Sequence, residues 1–213
     1  MYKCVLFDMD GTLVDSYPGI RASYQYAYER MNLPFPGEKF VSKVIGAPLL
    51  QVFENQCGLS PDQALQATAY YRTYYDREGK YMTRAYEGIA ALLSTLKARG
   101  KFLGLATLKN EVFASEILKN LEISQYFHTL RGMDQEDTLS KAELLKRCME
   151  DLRVDFRDTI LVGDSEYDAL GALGAGIDFL AVTYGYGFRK NTDFGKYHVR
   201  GVAGSPAEAA LML

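Results

Sequence analysis

Five residues constrain this chain more than any others: Asp8-Met9-Asp10-Gly11-Thr12, at the mouth of the apolar run Cys4-Val5-Leu6-Phe7. Successive residues of a strand point to opposite sides, so positions two apart project the same way. At the end of a buried strand, Asp8 and Asp10 therefore face one site. Two carboxylates that close repel each other, and neither is stable when buried without a partner. A divalent cation removes the conflict, and so does a shared proton. One carboxylate can then be a nucleophile while the other handles a proton. The same five residues also suit a polar turn in which one Asp caps a backbone, so the decision falls to other polar residues that reach the same place.

The chain of 213 residues is long enough for one large domain, or for one domain with a small companion. A net charge of −3 without a long Lys/Arg run gives no footprint for nucleic acid. No stretch approaches the ~18 apolar residues of a membrane span. The N-terminal apolar run stops at Asp8, which argues against a secretory signal. Cys4, Cys57 and Cys148 are far apart and in no metal spacing, so they read as small core residues in a reducing, cytoplasmic compartment. His128 and His198 are too few for a zinc cluster, and the chemistry falls to carboxylates.

Four further apolar segments alternate with helical patterns. Residues 101–106 end at Thr107, residues 127–130 form a weaker strand, and residues 159–162 end at Gly163-Asp164. Residues 178–183 lead into the loop Tyr184-Gly-Tyr-Gly187. Helices are expected around 86–99, 110–121, 141–152 and 166–175. This is an α/β pattern with a Rossmann-like parallel sheet, and ligands are expected at the carboxyl ends of its strands. Residues 16–84 break the rhythm. Ile20, Tyr24, Ala27, Tyr28 and Met31 share one helical face; a short helix spans about Glu38–Ile45; Leu49, Leu50, Val52, Phe53 and Cys57 line another. Ser60-Pro61-Asp62-Gln63 combines a capping box with Pro at the first helical position and opens a helix to about Arg77. The expected organisation is a core of residues 1–15 plus 85–213 and an inserted all-helical cap of residues 16–84, of four-helix type. Both linkers of the cap reach the carboxyl edge of the sheet, which suits a lid. Tyr24, Tyr28, Tyr71 and Tyr75 pair at i,i+4 within it, as packing of a small bundle or as a surface for stacking.

Each later polar residue has a plain structural explanation by itself. Thr107 can cap the next helix, Ser140-Lys141-Ala142-Glu143 is a capping box, and Ser165 with Asp168 is another. Together they say more. Asp8, Thr107 and Asp164 end apolar strands, Lys141 opens the helix after the third strand, and in a parallel sheet those ends converge. A hydroxyl, an ammonium and several carboxylates around one point are what phosphoryl transfer requires.

On these residues the chain resembles the phosphatases of the haloacid dehalogenase superfamily that carry a small helical cap, near their phosphoglycolate phosphatase-like branch. The resembling motifs are Phe7–Ser16, Ala106-Thr107, Lys141 and Val162–Asp168. Ile45–Leu49, Asp137–Lys141 and Val182–Gly187 look most like the group labelled 5′-nucleotidase-like. The resemblance implies that Asp8 attacks phosphorus and that Asp10 protonates the leaving oxygen and then activates water. It implies that Thr107 and the backbone at Leu108 hold phosphate oxygens while Lys141 neutralises charge. Mg²⁺ would be held by Asp8, the Asp10 carbonyl and Asp164, with Asp168 in support. The implied partner is a small phosphomonoester, with no nucleic acid or membrane, acting as monomer or homodimer. Lys43 is the expected cap cation toward the leaving group. Leu108 stands where such enzymes often have Ser or Asn, and Glu87 replaces a common Pro in the second linker. A sugar phosphomutase is the weaker enzymatic alternative, since it must grip a second phosphate. A non-catalytic phospho-acceptor module is the alternative of a different class, and it has no need of Asp10 or a lid.

Overall fold

The computed structural model describes residues 2–134 and 137–213. Cys4–Phe7 forms β1, and all four of its side chains are fully buried. A strand that apolar on both faces belongs in the middle of a parallel sheet. It pairs there with β4 (Phe102–Asn110) on one side and β6 (Thr159–Gly163) on the other. The remaining strands are β5 (Thr129–Met133), β7 (Asp178–Val182) and β8 (Val199–Ala203). The sheet has six strands in the order β5-β4-β1-β6-β7-β8, and every neighbouring pair is parallel.

Alternation along β1 divides the core into two layers. Val5 and Phe7 face the layer of α5 (Ile89–Ala98), α6 (Glu111–Asn120) and α9 (Pro206–Met212), while Cys4 and Leu6 face α7 (Lys141–Leu152) and α8 (Glu166–Ala175). The chain runs outward from β1 through β4 to β5, then returns to β6 and runs outward the other way. The carboxyl ends of β1 and β6 thus flank the point where the strand order reverses, the place where such sheets bind ligands.

The strands expected from sequence are present, with shifted ends. β4 continues past Thr107 to Asn110 through a register irregularity after Ala106. β5 starts two residues later than expected, and the ring of His128 just before it accepts a bond from Leu103 N at 3.1 Å. β8 and α9 were not anticipated. Gly201 and Arg200 interrupt the apolar pattern of β8, which is an edge strand with little to announce it.

The helical insertion lies between β2 (Val14–Asp15) and β3 (Arg84–Ala85), which pair antiparallel and join its two linkers. Two-residue strands leave no periodicity to read. The insertion holds α1 (Tyr17–Arg30), α2 (Glu38–Val44), α3 (Leu49–Gln51) and α4 (Pro61–Arg77). The expected capping box at Ser60 and Gln63 is formed. The helix expected over Leu49–Cys57 is instead a short α-helical turn continued by a π turn, Val52–Gln56, that buries both Val52 and Phe53. Tyr24 sits at its centre, with ring centroids at 4.9 Å from Tyr71 and 5.5 Å from Phe53. No helix among the described residues is long and apolar enough to cross a membrane.

Leu105 on β4 is fully buried, whereas Leu211 on α9 is 85% exposed. Leu105→Ala is expected to lower the unfolding free energy by about 2–5 kcal/mol. Leu211→Ala should stay within about 0.5 kcal/mol of the parent. Urea denaturation measures both, and equal losses would place the core elsewhere.

Candidate active site

Asp8 follows β1 directly and Asp164 follows β6, and Asp8 N donates to Val162 O at 2.9 Å, so the two carboxylates stand side by side. Lys141 is the first residue of α7, fixed by the capping box of Ser140 and Glu143. Its ammonium lies 2.5 Å from Asp8 Oδ1 and 2.7 Å from Asp168 Oδ1. Asp168 occupies the first turn of α8, where its Oδ2 accepts from Ser165 N at 3.0 Å and Ser165 Oγ at 2.6 Å. Both capping boxes inferred from sequence therefore exist, and they also aim Lys141 and Asp168 into the site.

Asp164 is positioned by backbone donors. Its Oδ2 accepts from Tyr186 N at 2.6 Å and Gly187 N at 3.0 Å. The approach is so close that glycine is required on two sides. Gly11 has φ +87°, and a Cβ on it would stand 2.3 Å from Asp164 Oδ2. A Cβ on Gly185 would meet Gly11 O at 2.1 Å.

Burial, followed by the charge of Asp168, pushes the Asp8 carboxyl well above the usual carboxylate range, against the pull of Lys141. The same two causes push Asp164 up to about 7. Burial works against the Lys141 charge, but Asp168 and Asp8 together outweigh it and raise its pKa, so it stays an ammonium. Asp8, Asp164 and Asp168 each bring one oxygen within 4.8 Å of the others. Asp8 Oδ2 and Asp164 Oδ1 receive none of the hydrogen bonds described here. Counting Asp10, four buried carboxylates face two buried ammonium groups, those of Lys141 and Lys109. A surplus of negative charge on oxygen donors alone fits a hard divalent cation.

Asp10 turns away from Lys141 toward Lys109, whose ammonium lies 2.8 Å from its Oδ2 and 3.1 Å from its Oδ1. Ser16 Oγ donates to Asp10 Oδ1 at 2.5 Å. The Lys109 ammonium also lies 4.6 Å from the centre of the Tyr75 ring on α4. Burial opposes its charge, but Asp10 and then Tyr75 raise its pKa. Thr107 stands on β4 two residues past the Phe7–Leu105 pair, fully buried, and its Oγ1 accepts from Lys109 N at 3.2 Å.

A cleft of about 580 Å³ opens between the insertion and the sheet edge, lined on the core side by Asp10, Leu108 and Lys109. Tyr24, Tyr71 and Arg72 line it from the insertion. Arg72 lies 2.8 Å from Asp137 Oδ1, in the loop after β5, and Asp137 Oδ2 also accepts from Leu50 N at 3.3 Å. Lys43, expected to face the leaving group, is exposed and does not line the cleft. Its helix turns Val41 and Val44 inward, which leaves Lys43 on the solvent side. The cations at the cleft are Lys109 and Arg72. Lys109 was legible in principle, because it lies two residues after Thr107 near the carboxyl end of the same strand. Ser16, Arg72, Asp137 and Tyr186 carried no such signal.

The Lys109–Asp10 pair leaves only 7% and 8% of the two side chains exposed. Removing one partner of a buried pair costs about 3–5 kcal/mol. Lys109→Met should therefore destabilise the fold by that amount, and adding Asp10→Asn should recover most of it. The denaturant midpoints of the single and double variants measure this. A Lys109→Met midpoint equal to the parent would mean that the pair contributes no net stability.

The sequence pattern of the haloacid dehalogenase-like hydrolases matches residues 5–182. A 5′-nucleotidase of Pseudomonas aeruginosa is 34% identical over 187 residues, spanning 87% of this chain and 85% of its own. A phosphoglycolate phosphatase of Neisseria meningitidis is 34% identical over 192 residues, spanning 87% and 82%. The crystal structure of a predicted phosphatase from Clostridium acetobutylicum superposes with a TM-score of 0.93 at 33% identity, over 100% of this chain and 98% of that one. With its sheet order, its carboxylate cluster and these relatives, the chain belongs to the haloacid dehalogenase-like hydrolase family, among its phosphatases.

Proposed function

We propose that this chain hydrolyses small phosphomonoesters through a phosphorylated Asp8, and that residues 16–84 are the cap that closes over the reaction. The observation that carries this reading is the state of Asp8: one oxygen is held by Lys141 at 2.5 Å while the other accepts no hydrogen bond from the described residues. A carboxylate fixed in orientation with a lone pair to spare is a prepared nucleophile.

In the first step Asp8 forms a bond to phosphorus as the ester P–O bond breaks. Lys141 balances the charge that gathers on Asp8 and the phosphoryl oxygens, and the Thr107 hydroxyl with the Leu108 amide holds those oxygens. Asp10 gives its proton to the departing alkoxide. In the second step water attacks the aspartyl phosphate and passes a proton to Asp10, which releases phosphate and restores Asp8. Asp8, Asp164 and the Asp10 carbonyl would hold Mg²⁺, with Asp168 behind them; when bound, the ion supplies positive charge against the phosphoryl oxygens.

Asp10, rather than Asp8, lines the cleft, which makes the cleft the leaving-group side. Its cations, Lys109 and Arg72, each already face a carboxylate. The small anionic leaving group of phosphoglycolate wants a cation with charge to spare, and so does the second phosphate of a sugar phosphomutase. The cleft instead offers Ile20, Tyr24, Val44 and Tyr71. That lining favours a leaving group with an apolar, planar face, and a nucleoside fits it better than glycolate does. Cys4, Cys57 and Cys148 are free thiols, which supports a reducing, cytoplasmic setting.

Nucleoside 5′-monophosphates, phosphoglycolate and p-nitrophenyl phosphate should all be assayed with Mg²⁺ and with EDTA. Turnover in Mg²⁺, best on a nucleotide and absent in EDTA, is expected. Asp8→Asn should fold normally and retain less than about a thousandth of the turnover, given the size of the barrier for monoester hydrolysis. Mg²⁺ should raise the melting temperature of the parent protein by binding the folded state only, and Asp164→Ala should lose that rise. Turnover by a demonstrably metal-free sample would remove the metal from the reading, and a faster rate on phosphoglycolate would remove the nucleoside.

A further inference from the structure

The loop Tyr184-Gly-Tyr-Gly187 has so far entered only through its backbone, which holds Asp164. The side chain of Tyr186 reaches in the other direction, to the first linker of the cap. Its hydroxyl donates to Asp15 Oδ1 at 2.6 Å and accepts from Ser16 N at 2.7 Å and Tyr17 N at 3.0 Å. These amides open α1, where a helix has donors with no partner of its own.

Ser16 stands at the N-cap position, and a serine there ordinarily accepts from the second or third helical amide with its own hydroxyl. Here it makes no side-chain cap bond, and its Oγ goes to Asp10 at 2.5 Å. Two residues make that possible. Pro18 has no N–H to satisfy, and Tyr186 holds the amide of Ser16 and shares that of Tyr17 with Asp15 Oδ1, 3.1 Å away. With its backbone amide held in this way, Ser16 directs its hydroxyl to the carboxylate.

We propose that Tyr186 is a positioning residue: with its backbone on Asp164 and its phenol on the start of α1, it fixes the Ser16 backbone so that the Ser16 hydroxyl orients Asp10, and it ties the cap linker to the carboxylate cluster. The assignment rests on the reading of Asp10 as the acid and base of a phosphatase. The loop is built for the task, because the glycines beside Tyr186 let it press on Asp164. A Cβ on Gly185 would come within 2.4 Å of Asp164 Oδ2, and one on Gly187 within 2.5 Å of Asp164 O.

Tyr186→Phe keeps the ring and both backbone bonds to Asp164 and deletes only the hydroxyl. The test compares this variant, Ser16→Ala and the double variant, each as the full chain with Mg²⁺, on a nucleoside 5′-monophosphate and on p-nitrophenyl phosphate. The nucleotide has the poorer leaving group and depends more on Asp10. Tyr186→Phe should lower its kcat roughly tenfold, the size of one lost hydrogen bond of this kind. The loss on p-nitrophenyl phosphate should be less than about threefold. The double variant should be no worse than the worse single one, because both act on the same bond. Amide 16 should exchange hydrogen faster, while the rise in melting temperature with Mg²⁺ persists. Equal losses on both substrates, additive losses in the double variant, or an unchanged nucleotide kcat would each overturn the role of Tyr186. Turnover by the parent protein in the same assay tests the phosphatase reading itself, so the two failures are told apart.

Discussion

Repulsion among carboxylates is the constraint from which the site is organised. Asp8, Asp10, Asp164 and Asp168 are all buried at one edge of the sheet, where water cannot screen them. Lys141 bridges two of them, Lys109 holds a third, and two backbone amides hold the fourth. None is left without a partner, yet positive charge falls short of negative. An arrangement of this kind costs stability in the free protein and is the kind of strained charge cluster found at functional sites.

The packing around the cluster serves the same end. Lys141 can lie between Asp8 and Asp168 only because Gly171 makes room, as a Cβ there would stand 2.4 Å from Lys141 Cγ. On the other side a Cβ on Gly163 would meet Asp168 at 2.5 Å. α8 therefore packs closely against β6 and α7, and the carboxylates are brought together by close backbone approach rather than by long side chains. This is why strands and helix starts supply the charged groups, with their directions fixed by regular geometry.

That geometry also decides what the sequence could reveal. Asp8, Lys141, Asp164 and Asp168 lie at strand ends or in first turns of helices, and Thr107 lies near the carboxyl end of β4, so the order of elements was enough to bring them together. The central strands and the helices over residues 141–152 and 166–175 were legible for the same reason, since strong periodicity marks them. Ser16, Tyr186, Arg72 and Asp137 meet only when the insertion is laid against the sheet edge, and no local pattern encodes that. Lys43 shows the converse: a cation in the right segment lies on the wrong face, because Val41 and Val44 set the rotation of the helix. β2 and β3 are too short to carry a pattern at all.

The two lysines divide the site into halves with different origins. Lys141 stands on α7 and meets Asp8 and Asp168, all in the sheet and its flanking helices. Lys109 comes from β4 but lies against Tyr75 of the insertion, and its carboxylate partner Asp10 is touched by Ser16 of the first linker. On the proposed reading, the half that meets the phosphoryl group is built from core residues. The leaving-group half exists only where insertion and core meet. On the same reading, changes within residues 16–84 would alter which alcohol departs more than how phosphorus is attacked. A fold divided in this way keeps one chemistry and exchanges substrates, with specificity varying on the inserted element rather than on the sheet.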